Sequence, residues 1–152
     1  MTREIILAID PESEEAEKVV AWSLNNFLRA SDHVNLVTML YLDVEFVDHD
    51  YSLAVDEKDI LQMEEKLKAK FSVGLEKLRT DFEAAGISNV TIQLLNSESS
   101  GPCQRLIEHL DTIQTDCLIM GSRNLSGWKR LFMGSFSEYI QTHVHCPVLI
   151  VK

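Results

Sequence analysis

The sequence predicts an α/β protein, a three-layer α/β/α sandwich whose middle layer is a five-stranded parallel sheet. Strand and helix patterns alternate along all 152 residues, which is typical of parallel strands joined by crossing helices. The first strand pattern, at residues 5–9, is a continuous apolar run, and such a run suits a strand covered on both faces better than a half-exposed one. At this length one domain spanning residues 1–152 is expected.

A predicted helix and a second strand follow the first strand. Asp10 and Pro11 end the apolar run, and Ser13 with two glutamates behind it predicts a capped helix with an acidic first turn. A second apolar run, at residues 34–41, predicts the second strand. The apolar positions of the helix recur at helical spacing: Ala16, Val20, Leu24 and Phe27.

A long amphipathic helix is predicted over residues 57–85, with Gly86 as its stop signal. The acidic connection before it, residues 42–56, is interpreted either as a solvated crossover or as a lid over a ligand site. The apolar positions expected on the sheet follow one another in steps of three and four: Ile60, Met63, Leu67, Phe71, Gly74, Leu78, Phe82 and Ala85.

The second half of the chain supplies three more strands and two helices. Residues 90–95 alternate in part, which predicts a strand at the sheet edge. Pro102 begins a helix, residues 117–120 form a short buried strand, a helix covers about residues 135–143, and residues 148–151 form the last strand. The inward positions of the two helices are Leu106, Ile107, Leu110 and Ile113 in the first and Phe136, Tyr139 and Ile140 in the second.

A basic segment follows the fourth strand. The chain carries 24 Asp and Glu against 14 Lys and Arg, yet residues 121–137 contain no acidic residue. Three cations lie in this segment, and Gly134 and Ser135 lead from it into the predicted helix start. Backbone N–H groups at a helix N-terminus bind anions, so the segment predicts a phosphate cradle. The cations are Arg123, Lys129 and Arg130.

Composition narrows the possible functions. A net charge of −10 argues against binding nucleic acid polymers, because that binding depends on many Lys and Arg side chains. No apolar run approaches the roughly 20 residues that a membrane-spanning helix needs, and no secretory signal pattern precedes the first strand. Three cysteines at irregular spacings are unlike a disulfide framework. A cytoplasmic protein without a membrane partner is therefore expected.

The glycine pattern of the basic segment carries a family resemblance. Gly121 is followed after two residues by Asn124 and nine residues later by Gly134 and Ser135. This spacing, with the opening ILAID and the ending CPVLIVK, resembles the universal stress protein family over essentially the whole chain. The resemblance implies a Rossmann-like, adenine nucleotide alpha hydrolase-like fold. It also implies a protein that binds ATP as a signalling or stabilising ligand in the stress response, with at most slow hydrolysis.

The resemblance also implies roles for individual residues. Asp10 would lie against the nucleoside, Met120 and Met39 would contact the adenine, and Gly121 would approach the ribose and phosphates. The phosphates would be held at the helix start, and the charge of Arg123 favours the same anion. The residues at the helix start are Gly134, Ser135, Phe136 and Ser137.

Asn124 departs from the family pattern, which has a second glycine at this position. Asn is the non-glycine residue that best tolerates a positive φ, so the turn can persist. Its side chain either adds bulk beside the phosphates and weakens binding or donates a hydrogen bond of its own. Three functions therefore stay open. One is an ATP-binding protein, with Mg²⁺ accompanying the nucleotide, and another is a dimeric interaction module that binds no nucleotide. The third is a nucleotide-dependent transferase, for which the sequence indicates no catalytic residue.

Several of these residues also have a purely structural interpretation. Asp10 is equally well explained as a carboxylate that caps the turn after a strand, and Met39 and Met120 as core methionines. Cys103, near a helix start, is either a reactive thiol or a small packed residue. No Ser–His–carboxylate order or nucleophile elbow indicates an enzyme. The neighbouring residues His143, His145 and Cys146 lack the spacing of a zinc site.

The last strand, residues 148–151, is apolar and is followed only by Lys152. If the strand lies at the edge of the sheet, its outer backbone groups need a partner. The family resemblance likewise implies a homodimer formed through this strand, Val148, Leu149, Ile150 and Val151.

Overall fold

A computed structural model describes residues 2–40, 57–96, 101–122 and 136–152. Strands and helices alternate through these ranges, as the sequence predicts. The strands are β1 (Glu4–Ala8), β2 (His33–Leu40), β3 (Val90–Asn96), β4 (Cys117–Gly121) and β5 (Val148–Val151). The helices are α1 (Glu14–Asn26), α2 (Glu57–Ala84), α3 (Gly101–Thr112) and α4 (Phe136–His143). None of these helices combines the length and the apolar content that crossing a bilayer requires.

The five strands form one parallel sheet in the order β3-β2-β1-β4-β5. The predicted edge position of β3 is confirmed, and β5 forms the opposite edge. The chain moves from β1 outward to β3 and then returns to place β4 on the other side of β1. The strand order therefore reverses between β1 and β4, and in such sheets ligands bind outside the carboxyl ends of the strands at this point.

Helices cover both faces of the sheet, and β1 is buried between them. Ile5, Leu7 and Ile9 point into one core with α1 and α2, whereas Ile6 and Ala8 point into the other with α3 and α4. This division follows from right-handed crossovers, which put helices on opposite faces when the strand order reverses. The predicted three-layer architecture is confirmed. The main helix contributions are Ala16, Val19, Val20, Leu75, Leu78 and Phe82 in the first core and Leu106, Ile107, Leu110 and Ile140 in the second.

Helix α2 contacts the sheet only over its second half, which corrects the predicted inner face. Phe71, Leu75, Leu78 and Phe82 are buried, and the first fully buried position is Phe71. Met63 and Ala85, both predicted on the inner face, are exposed, Met63 to 37%. A helix of 28 residues is about 42 Å long, whereas the eight residues of β2 span only about 26 Å. The first half of α2 therefore extends past the carboxyl end of the sheet.

Gly86 ends α2 as predicted, through a Schellman motif. Its φ is +92°, and its N–H donates to the carbonyl of Glu83 at 3.0 Å while Ile87 N–H donates to the carbonyl of Phe82 at 3.0 Å. Phe82 and Ile87 are both buried in the first core. No atom would lie within 4 Å of a Cβ at Gly86, so an alanine there would meet no steric clash. It would lower the stability only because its backbone must adopt a left-handed conformation, by about 1 kcal/mol.

The start of α1 differs in detail from the prediction. Ser13 occupies the N-cap position with an extended backbone but makes no side-chain capping bond to the helix. Its hydroxyl instead donates to the carbonyl of Asp10 at 3.0 Å. The predicted cap is therefore wrong, because the hydroxyl is bonded to the preceding turn. The acidic first turn is present, with Glu14, Glu15 and Glu17.

An ion pair fastens the amino end of the sheet. Arg3 donates to the two carboxylate oxygens of Asp32 at 2.8 and 2.7 Å, and its guanidinium lies over the Phe27 ring, 4.8 Å from the centroid. Asp32 also accepts a hydrogen bond from Arg29 N–H at 2.8 Å. Burial favours a raised pKa for Asp32, but the bonds from Arg3 and Arg29 outweigh it and lower the pKa.

Candidate functional site

The carboxyl ends of β2, β1 and β4 lie side by side at the switch in strand order. Ala8 of β1 pairs with Val37 of β2 on one side and with Met120 of β4 on the other. The ladder continues past the end of β1, because Ile9 N–H donates to the carbonyl of Val37 at 3.0 Å. Asp10 is the next residue. The structure therefore brings Asp10, Met39 and Met120 to one end of three neighbouring strands.

Asp10 is buried and closes a tight turn. Its side chain is only 1% exposed, and its Oδ1 accepts a hydrogen bond from Glu12 N–H at 2.9 Å. Its carbonyl accepts bonds from the N–H and the hydroxyl of Ser13, both at 3.0 Å. The structural interpretation of this carboxylate is thus correct, and the same bonds orient it at the switch point.

Met39 and Met120 lie on the same face of the sheet. Their side chains are 0% and 1% exposed and belong to the second core. Their neighbour Ala8 belongs to the same core, whereas Ile9 belongs to the other, so alternation along the strand favours this side for Asp10 as well. Both methionines are core residues beside the switch point, and a contact with a base stays a prediction.

β4 extends one residue beyond the predicted strand and includes Gly121. Gly121 is the last residue of that strand, pairs with Val151 and is half-buried. The following residue continues the ladder, because Ser122 N–H donates to the carbonyl of Val151 at 2.9 Å. Gly121 is thus held in the sheet by its pairing with β5, and any turn begins after Ser122.

The remaining predicted site residues are only partly described. Phe136 and Ser137 are the first two residues of α4, which packs in the second core through Ile140. Tyr139 was expected to point inward but is 40% exposed and stacks on His143, with ring centroids 3.9 Å apart. The other residues predicted for the site or the basic segment, and the lid interpretation of residues 42–56, lie outside the described residues: Arg123, Asn124, Lys129, Arg130, Gly134 and Ser135.

Four buried side-chain atoms that make no hydrogen bond among the described residues were missed by sequence reasoning: Glu15 Oε2, Asn35 Oδ1, Thr38 Oγ1 and His109 Nε2. Glu15 and Thr38 belong to segments at the carboxyl end of the sheet. Glu15 lies in the first turn of α1, and Thr38 lies two residues before the end of β2. Buried polar atoms are normally bonded, so such atoms mark places that water or a ligand completes. Neither had a sequence signal, since Glu15 belongs to an ordinary acidic turn and Thr38 to a strand.

The cysteines and histidines form no reactive or metal-binding group in the described ranges. No cluster of three or more His, Cys, Asp or Glu residues there is placed to hold a metal ion. Burial raises the pKa of the Cys103 thiol to about 12 and also raises the pKa of Cys117 and Cys146. All three are free thiols, and the interpretation of Cys103 as a packed residue is the better one.

Comparison with known proteins decides the family. The model of the universal stress protein family matches residues 1–152. The chain belongs to the universal stress protein family. Among curated relatives it is 30% identical over 88 residues to the universal stress protein MJ0531 of Methanocaldococcus jannaschii. That match covers 58% of this chain and only 49% of the archaeal protein, about half its length.

Two other similarities extend along most of this universal stress protein. It is 24% identical over 145 residues to the universal stress protein A-like protein of Arabidopsis thaliana, covering 92% of this chain and 79% of the plant protein. It also resembles a solved universal stress protein in complex with cAMP, with a TM-score of 0.62 and 18% identity over 99% of this chain and 96% of that one. At this identity the structural similarity establishes the shared fold.

The raised pKa values predict that the thiols of this universal stress protein react slowly in the folded state. A higher pKa leaves less thiolate at pH 8, and the thiolate is the nucleophile. We expect Ellman's reagent to modify the native protein more slowly than free cysteine by roughly tenfold or more. All three thiols should react promptly in guanidinium chloride. A native thiol that reacts as fast as free cysteine would contradict the buried environment described above.

Proposed function

We propose that this universal stress protein binds an adenine nucleotide, ATP, as a signalling or stabilising ligand in the cytoplasmic stress response. The observation that carries the proposal is the placement of Asp10, Met39 and Met120 at the carboxyl ends of three neighbouring strands, where the strand order reverses. Doubly wound sheets bind their ligands at this position. The solved universal stress protein with cAMP supports an adenine nucleotide as ligand for this fold.

Each part of the site suits one part of the nucleotide. The Asp10 carboxylate, oriented by Glu12 N–H, can accept a hydrogen bond from the nucleoside, and methionine sulfur packs well on aromatic rings such as adenine. The first turn of α4 includes Phe136 and Ser137, and the first backbone N–H groups of a helix, which have no partner within the helix, suit a phosphate.

The proposal includes at most slow hydrolysis. A bound Mg²⁺ would neutralise phosphate charge and would be held mainly by phosphate oxygens and water, as is usual for this ion. In this proposal the nucleotide acts as a ligand, and its hydrolysis is not the function of the protein.

Asp10→Asn tests the nucleoside contact. Asparagine keeps an oxygen that can accept the Glu12 N–H bond but removes the negative charge. We expect ATP to bind about tenfold more weakly, the effect of losing one charged hydrogen bond, measured by isothermal titration calorimetry with Mg²⁺ present. Asp116→Asn is the matched control, because Asp116 accepts Glu4 N–H at the opposite end of the sheet and should leave the affinity unchanged.

Asn124→Gly tests whether the asparagine weakens ATP binding. If Asn124 strains an intact phosphate loop, restoring glycine strengthens ATP binding; an unchanged affinity means that Asn124 is an adequate turn residue. Absence of ATP binding in both the wild-type protein and Asn124→Gly would reject nucleotide binding and favour the interaction module.

A homodimer through β5 is the second part of the proposal and the basis of the alternative function. β5 is an edge strand of the sheet. The carbonyls of Pro147 and Val151 accept bonds from β4, so alternation directs the backbone groups of Val148 and Ile150 outward. Exposed strand edges pair readily with a second strand.

Ile150→Pro tests this interface. Proline removes an outward N–H, which an edge strand tolerates without loss of its inner ladder. We expect the wild-type protein to sediment as a dimer and the variant as a monomer that keeps its circular dichroism spectrum. A wild-type monomer at about 100 µM, far above the Kd of a stable dimer, or a variant that remains dimeric would reject pairing through β5.

A further inference from the structure

Helix α2 passes unusually close to the turn that carries Asp10. A Cβ atom built on Gly74 would lie 2.8 Å from Cβ and 3.4 Å from Cγ of Pro11, and 3.7 Å from its carbonyl oxygen. The shortest of these distances is below any normal van der Waals contact. Because the proline ring is stiff and its φ is fixed, an added methyl group would move either the helix or the turn. Only glycine allows this approach.

A second contact joins the same two segments. Lys70, one helical turn before Gly74, places Nζ 3.3 Å from Oε2 of Glu12. Residues four apart lie on the same face of a helix, so this face of α2 meets two consecutive residues of the turn. The ion pair is largely solvated, with the Lys70 side chain 65% exposed, and contributes little. The close approach at Gly74 is the stronger constraint.

This constraint reaches the carboxylate of Asp10 through two residues, Pro11 and Glu12. Pro11 touches α2, and the next residue, Glu12, donates the N–H that Asp10 Oδ1 accepts at 2.9 Å. A displacement of Pro11 therefore carries Glu12 N–H with it and loosens the bond that orients the carboxylate. Glycine is otherwise a poor choice inside a helix, which indicates a packing or functional reason for Gly74.

We propose that Gly74 is a positioning residue for the nucleoside half of the nucleotide site. By admitting Pro11 against the backbone of α2, it fixes the Asp10 turn in the geometry that binds the nucleoside. This proposal rests on the proposed function, because it assigns Gly74 a role in that same site. Gly74 touches no ligand, and its effect passes through Pro11, Glu12 and Asp10.

Gly74→Ala tests the proposal with two readouts. The first is hydrogen exchange of the Glu12 amide by NMR, which reports the bond to Asp10 without any nucleotide. The second is the Kd for adenosine and for ATP by calorimetry. We expect faster exchange at Glu12 and about tenfold weaker binding of both ligands. The ratio of the adenosine and ATP affinities should stay unchanged, because the phosphate contacts lie elsewhere.

Two further variants separate positioning from general destabilisation. Gly86→Ala lowers the melting temperature by straining the end of the same helix but leaves Pro11 untouched, so it should change neither readout. Adding Pro11→Gly to Gly74→Ala removes the clashing Cβ and should restore binding toward that of Pro11→Gly alone. A merely structural role for Gly74 would give equal effects in both alanine variants and no rescue.

Each failure has a distinct signature. The role of Gly74 is overturned if hydrogen exchange at the Glu12 amide is the same in Gly74→Ala as in the wild type. It is also overturned if the wild type binds adenosine and Gly74→Ala binds it with the same affinity. If the wild-type protein binds neither adenosine nor ATP, the proposed function fails and the nucleoside role of Gly74 fails with it. Glu12 exchange in that case still decides whether Gly74 fixes the Asp10 turn.

Discussion

Strand β1 is paired on both edges and covered on both faces, and the rest of the structure depends on this double burial. Its neighbours β2 and β4 belong to opposite halves of the chain, so the strand order must reverse beside it. Right-handed crossovers then place α1 and α2 on one face and α3 and α4 on the other. In sheets of this topology ligands bind outside the carboxyl ends of the strands at the reversal, and Asp10 is the first polar residue after β1.

The two ends of the sheet differ in how their buried polar groups are bonded. At the amino end, Arg3 and Asp32 satisfy each other and link β1 to the segment between α1 and β2. At the carboxyl end, Glu15 and Thr38 keep buried oxygens without a hydrogen bond among the described residues. Such atoms cost stability unless something completes them.

The sequence predicted the structural features that depend on local residue patterns. It did not predict the features that depend on tertiary contacts between distant residues. The continuous run of β1, the stop at Gly86 and the edge position of β3 each have a local signal. The projection of α2 depends on its length relative to the strands, and the ion pair of Arg3 and Asp32 joins residues 29 positions apart. Neither feature therefore has a local sequence signal. The spacing predicts Gly74 on the inner face of α2, but it does not predict the close approach of Pro11, which leaves no room for a Cβ at Gly74.

The most direct test of the nucleotide site uses NMR of the protein labelled with ¹³C at its methionine methyl groups. Met39 and Met120 flank the Asp10 turn, whereas Met63 lies on the projecting half of α2 and serves as an internal control. Titration with ATP and Mg²⁺ should shift the signals of Met39 and Met120, and both shifts should saturate at the same ATP concentration. The Met63 signal should not shift. Saturating ATP that shifts neither Met39 nor Met120 would contradict a nucleotide site at the switch in strand order.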